Sequence, residues 1–203
     1  MKIECQLSET AYRYGKKWLF RYLSFQIENG GIHLITGSNG SGKSTLLRLL
    51  TSALEPEEGS ISYKLNGKVL DADQIQNEIS YVAPGQELPE EFSLAELIAL
   101  QEKFLPVRNN LYEELMSRFG LQENSHKPIR DYSTGMKQKA KFVLSLGMDR
   151  PVWLLDEPGL SLDVHSCSVL HELLRDRMNH RLIILASNDP AEISLGEIRA
   201  SLG

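Results

Sequence analysis

The sequence predicts an α/β protein with a parallel sheet, and three observations carry that expectation. Strand-like and helix-like stretches alternate through the last third of the chain. An apolar run, "GIHLITG" (31–37), ends in glycine and passes at once into a helical pattern. A second apolar run, "VWLLD" (152–156), ends in two adjacent carboxylates, Asp156 and Glu157, before Pro158. Burying an ionised carboxylate is expensive unless a cation or hydrogen-bond donors compensate it, so the fold must bring such groups to this strand end.

The elements follow in order. "KIECQL" alternates Ile3, Cys5 and Leu7, and "LSFQI" alternates Leu23, Phe25 and Ile27, which is the period of strands. "GIHLITG" is the next strand, and a helix runs from 43 to about 54. After the turn-like "EPEEGS", "ISYKL" and "ISYVAP" read as short extended stretches. Polar, helix-prone sequence from 93 to about 120 forms a candidate helical subdomain. A helix from about 133 to 147 places Met136, Ala140, Val143, Leu144 and Gly147 on one face, with Lys137 and Lys141 on another. The strand "VWLLD", a helix from about 164 to 178 and the strand "RLIILAS" complete the alternation. His165, Cys167 and His171 share one predicted helix without a ligand-like spacing and read as ordinary helix positions.

At 203 residues the chain suits one core with a subdomain. Its 41% apolar and 24% charged residues, with a net charge of -5, are those of a soluble globular protein. A mildly acidic balance makes nucleic acid an unlikely partner, since such a footprint needs clustered Lys and Arg. Cys5 and Cys167 lie far apart and suggest no disulfide framework, which points to a reducing cytoplasm. The first ten residues lack the apolar core of a signal peptide. No stretch reaches the roughly 18 apolar residues of a membrane span, so any work at a membrane is done from outside the bilayer.

"GSNGSGKST" (37–45) fits the pattern G-x-x-x-x-G-K-[ST], after a predicted strand and at the start of a predicted helix. Gly37, Gly40 and Gly42 let the backbone curl so that successive N–H groups, including those of Ser38, Asn39 and Ser41, point inward at phosphate. The helix N-terminus, with Thr45 in its first turn, adds its positive dipole end. Lys43 would neutralise β and γ phosphates, and Ser44 would offer its hydroxyl to Mg²⁺. In P-loop NTPases a carboxylate at the end of an apolar strand beside this loop holds the same Mg²⁺, the position of Asp156. Glu157, pointing away from Asp156 in an extended chain, can face the γ-phosphate and polarise the attacking water.

From about Tyr14 to Asp189 the chain resembles the nucleotide-binding subunits of ABC transporters. "DEPGLSLD" is similar to that family's second acidic motif and the aspartate-bearing loop after it, which implies a dimer contact for Asp163. "YSTGMKQKAKF" (132–142) resembles the family's signature sequence, with Tyr132, Thr134 and Met136 departing from the usual leucine, glycine and glutamine. The resemblance implies that Ser133 and Gly135 of one subunit touch the γ-phosphate held by the other; capping of its own helix by Ser133 is compatible with that contact. Tyr14, in "YGKKWLF", resembles the aromatic residue that stacks on adenine, with Tyr12 as the alternative. In "YVAPGQELPEEF", Gln86 stands a residue or two late for the family's glutamine, which touches Mg²⁺ and leads into the groove for the membrane subunit. In "LASNDP", Asn188 replaces the usual histidine that bonds the γ-phosphate; it either supplies a weaker contact there or caps the following helix.

The resemblance implies a P-loop NTPase core of the ABC ATPase type, with a small antiparallel β part and a helical subdomain at about 92–130 of a single domain, 1–203. It further implies an ATP- and Mg²⁺-dependent ATPase at the cytoplasmic face of a membrane. Such a chain pairs as an ATP-dependent homodimer, or a heterodimer with another ATP-binding subunit, and drives membrane-spanning transporter subunits on separate chains. Import and export both fit, because the membrane subunits choose the substrate. The alternative is a soluble ABC-type ATPase acting on a macromolecular partner. Those relatives commonly carry tandem cassettes, long insertions or basic extensions, and this chain shows none. Its compact length is similar to that of the small exporter ATPases.

Overall fold

The computed structural model describes residues 1–105 and 110–203. In chain order its strands are β1 (Ile3–Tyr14), β2 (Lys17–Glu28), β3 (Ile32–Gly37), β4 (Glu58–Leu65), β5 (Lys68–Val69), β6 (Ile79–Val82), β7 (Val152–Asp156), β8 (Leu182–Ala186) and β9 (Glu197–Leu202). The α-helices are α1 (Lys43–Leu50), α2 (Ala72–Glu78), α3 (Leu94–Phe104), α4 (Tyr112–Arg118), α5 (Thr134–Leu146), α6 (Val164–Arg177) and α7 (Pro190–Ile193). An antiparallel sheet has the order β2-β1-β4-β5, and a wholly parallel sheet has the order β6-β7-β8-β3-β9.

The parallel strands are apolar on both faces because both are covered. Successive residues of β7 alternate between two clusters: Val152 and Leu154 join Leu46, Leu47, Leu49 and Leu50 of α1 and the inner residues Ile3, Cys5 and Leu7 of β1. Trp153 and Leu155 face the other way, into a cluster with Phe142, Val143, Leu170 and Leu174 of α5 and α6. The Cα register sets Ile35, Ala186 and Asp156 in one row across β3, β8 and β7, so the loops leaving these strands emerge side by side. Ligands of open α/β sheets bind at this carboxyl end.

Several boundaries differ from expectation. Helix α1 stops at Leu50 rather than near 54, because the Thr51 hydroxyl donates to the Arg48 carbonyl (2.8 Å) and Ser52 takes a left-handed φ of 58°. The end of "EPEEGS" is not a turn: Glu58 and Ser60 already pair with Ala11 and Ser8 of β1. Helix α2 gave no periodic signal since it buries only Ile75; a reciprocal Asp71–Gln74 capping box starts it. The helix-prone block holds α3, opened by a Ser93–Glu96 capping box, and α4; residues 106–109 of that block lie outside the described residues. Helix α5 buries Gln138 and Phe142 beside the anticipated apolar stripe, so it is covered on more than one side. No helix among the described residues is long and apolar enough to cross a membrane.

Candidate functional site

The glycine loop leaves β3 at Gly37, whose φ is 144°; a Cβ there would meet the Leu202 carbonyl oxygen at 2.2 Å, so only glycine fits. Gly42 is the left-handed N-cap of α1, and no side chain occupies that cap. The Ser41 hydroxyl is buried with no hydrogen-bond partner among the described residues. Such a cap and an unpaired donor suit an anion.

Lys43 opens α1 and is only 6% exposed. Its Nζ donates to the Gly37 carbonyl at 2.8 Å and lies 3.2 Å from Glu157 Oε1. The cation that meets Glu157 in this structure is therefore the lysine of the loop itself.

Asp156 ends β7 and is 3% exposed, and its Oδ1 finds no hydrogen-bond partner among the described residues. Burial raises its pKa, the Ser44 hydroxyl and Lys43 opposing that shift and Glu157 adding to it. A buried carboxylate oxygen left free beside a hydroxyl is a donor set that fits a hard cation. Glu157 reaches the same space differently from the expected way: its backbone is left-handed, with φ 44°, not extended. Its N–H bonds the Ala186 carbonyl (2.8 Å), which turns the chain out of the sheet and swings the carboxylate over Lys43.

From β8, Asn188 donates its Nδ2 to Asn39 Oδ1 at 3.0 Å, tying this strand end to the glycine loop. It does not cap α7; Asp189 does, its carboxylate accepting from Ala191 N (2.8 Å). A cleft of about 420 Å³ is lined by Tyr14, Leu19, Asn39, Gly40, Gly42, Lys43, Ser44, Thr45 and Glu157. Tyr14 is half exposed there, and Tyr12 stands edge-on behind it with ring centroids 5.4 Å apart. Tyr12 packs against the core while Tyr14 keeps a free ring face, which suits Tyr14 better to stacking.

Ser133, Gly135 and Gln86 do not line this cleft. Ser133 caps α5 through the Met136 N–H (3.2 Å), and Gly135 lies beneath the Ser161 carbonyl, 3.3 Å from where a Cβ would stand. The Gln86 amide is folded onto its own loop, donating to the Tyr81 carbonyl (3.0 Å) and accepting from the Ala83 N–H (3.1 Å). Asp163 caps α6 through Ser166, and these bonds lower its pKa to about 2; Lys139 lies 3.5 Å away.

Two contributors gave no sequence signal. Glu192 looks like a surface acid of a short helix, yet it is 2% exposed and accepts from the Gly159 N–H at 2.7 Å. Gln138 is buried in α5, where its Nε2 donates to the Pro158 carbonyl (3.4 Å).

A family model described as ABC transporter matches residues 20–159, more than half of the chain. The chain belongs to the ABC transporter family. This ABC ATPase is 34% identical over 179 residues to the cytochrome c biogenesis ATP-binding export protein CcmA of Pseudomonas aeruginosa, covering 86% of this chain and 87% of that one. It is 36% identical over 172 residues to the protein of that name from Zymomonas mobilis, covering 85% and 72%. The solved structure of an ATP-binding subunit of an ABC transporter superposes with a TM-score of 0.85 at 24% identity, over 98% of this chain and 87% of that one, which shows the shared fold. The chain is an ATP-binding subunit of an ABC transporter with ATPase activity, of the kind that works with membrane subunits.

Proposed function

We propose that this ATPase drives export, the activity in its relatives' names, from the cytoplasmic face of a membrane through subunits on separate chains. The observation that carries the site is the convergence of Lys43, Asp156 and Glu157 beside one glycine loop. Lys43 and the loop amides hold the β and γ phosphates, and Tyr14 stacks on the adenine. Ser44 and Asp156 would hold Mg²⁺, which would supply charge neutralisation beside the phosphates. Once Lys43 turns to phosphate, Glu157 is released from its ion pair to orient and polarise the attacking water. Asn188 donates its amide to the γ-phosphate from the opposite side.

Two copies closing head to tail would bring Ser133 and Gly135 of one to the γ-phosphate on the other, with Asp163 at their contact. The exposed position of Ser133 at the start of α5 supports that reading. Gln86 would exchange its bonds to its own loop for the Mg²⁺ site. Beside it, Leu88, Leu97, Leu100 and Leu144 line an apolar groove of about 330 Å³, suited to an apolar segment of the membrane subunit. The region from about 92 to 130 forms the helical subdomain of one ATP-binding domain. Affinity purification from detergent-solubilised membranes, followed by reconstitution in vesicles, tests the function: a multi-span protein should copurify and be required for ATP-dependent efflux. Fractionation with ribosomes or another soluble assembly, with no membrane partner, would contradict it.

A further inference from the structure

The turn after Glu157 is gripped from two sides. From α5, the buried Gln138 amide donates to the Pro158 carbonyl at 3.4 Å. From α7, Glu192 Oε1 accepts from the next amide, Gly159 N, at 2.7 Å. The contact is close enough that a Cβ on Gly159 would come within 2.6 Å of that oxygen. The Ser187 hydroxyl lies close enough to the same carboxyl to oppose its pKa shift, and its oxygen accepts from Asp189 N at 3.0 Å. One buried acid thus links the loop after β7 to the loop after β8.

Placing a carboxyl 2% exposed here is costly in itself: burial raises its pKa, and only then do Ser187 and Gly159 oppose the shift. An apolar side chain of similar volume would fill the space without that cost. The turn it grips has the left-handed Glu157 at its head, a backbone conformation that persists only where the surroundings over-determine it. We propose that Gln138 and Glu192 are positioning residues for hydrolysis, fixing the Pro158 carbonyl and the Gly159 amide so that Glu157 is held in line and the loops after β7 and β8 move as one. This rests on the reading of Glu157 as the group that polarises water.

The test is the full-length chain's kcat and KM for Mg·ATP, with single-turnover assays for slow variants. Misplacing a reacting group by about 1 Å can cost on the order of 100-fold, so Glu192→Ala should lower kcat by roughly 10-fold or more with KM changed less than about 3-fold. Glu192→Gln, which retains an acceptor for the Gly159 amide, should recover most of the loss. In a Glu157→Gln background, Glu192→Ala should slow hydrolysis less than about 2-fold further, since the effect passes through Glu157. A parental kcat in Glu192→Ala, a parallel rise in KM, or full slowing in the double variant would overturn the proposal. If Glu192→Ala does not fold by thermal melting, Gln138→Ala is read against the same outcomes. Parental turnover in Glu157→Gln alone would instead overturn the reading on which the proposal rests.

Discussion

Lys43 Nζ lies 3.2 Å from Glu157 Oε1, and this ion pair joins the phosphate loop to the turn after β7. The two side chains are not equally enclosed: Lys43 is 6% exposed and the Glu157 side chain 30%. The lysine also donates to the Gly37 carbonyl, and both side chains line the cleft.

Glu157→Gln keeps the shape of that side chain and leaves Asp156 and Ser44 untouched. It should therefore bind Mg·ATP while slowing hydrolysis by roughly 100-fold or more, the scale of losing a positioned base. If Ser133 and Gly135 complete the site across a two-fold interface, ATP will promote dimers, and this variant will prolong them. Light scattering with and without Mg·ATP reads the mass; a variant that stays monomeric at high concentration would argue against the shared site.

Asn188 touches Asn39 and leaves the capping of α7 to Asp189, so its amide is available to a phosphate beside the loop. Losing one well-placed charge-assisted contact to developing charge costs about 2–4 kcal/mol, roughly 100-fold in rate, and a neutral amide restores only part of it. Asn188→His should raise turnover at saturating Mg·ATP by about 10-fold or more and introduce a titration into the pH–rate profile. An unchanged rate would show that Asn188 already suffices.

His33 is buried, and the Arg199 Nε–H donates to its Nδ1 (3.2 Å), which leaves Nε2–H to donate to the Glu28 carbonyl (2.8 Å). Burial lowers its pKa below the ordinary 6.5, with Arg199 adding to the shift. The unfolded chain then binds the proton more readily than the folded one, so this contribution to stability is full above about pH 6.5 and is lost as the pH falls below it. Thermal melting between pH 7.5 and 5.5 should show a downward slope in the parent that flattens in His33→Gln, whose amide can make both bonds without titrating. Equal slopes would remove His33 from the acid response.

The strand ends of the proposed site were legible in the sequence because their residues lie close together along the chain. The glycines, Lys43 and Ser44 are consecutive, and Asp156 and Glu157 close an apolar run, so both groups can be read from the sequence, and the fold brings Lys43 and Glu157 together. What stayed hidden depends on tertiary contact. Glu192 reads as an exposed acid until Gly159 packs onto it, and Gln138 as a surface position until Pro158 covers it. Glu157 reaches Lys43 through a left-handed backbone bonded to the Ala186 carbonyl across the sheet, not through the strand alternation that the sequence suggests. The parallel order emerged from the βα alternation, but α2 escaped because a seven-residue helix burying one side chain has no periodicity to read.

The most direct measurement for the site is calorimetric titration of Mg·ATP into the parent and into Lys43→Ala. Removing a charged hydrogen-bonding partner costs about 1.5–3 kcal/mol, so binding should weaken by roughly 10- to 150-fold while thermal melting shows the variant folded. The same affinity in both proteins would contradict the assignment of residues 37–45 as the phosphate site.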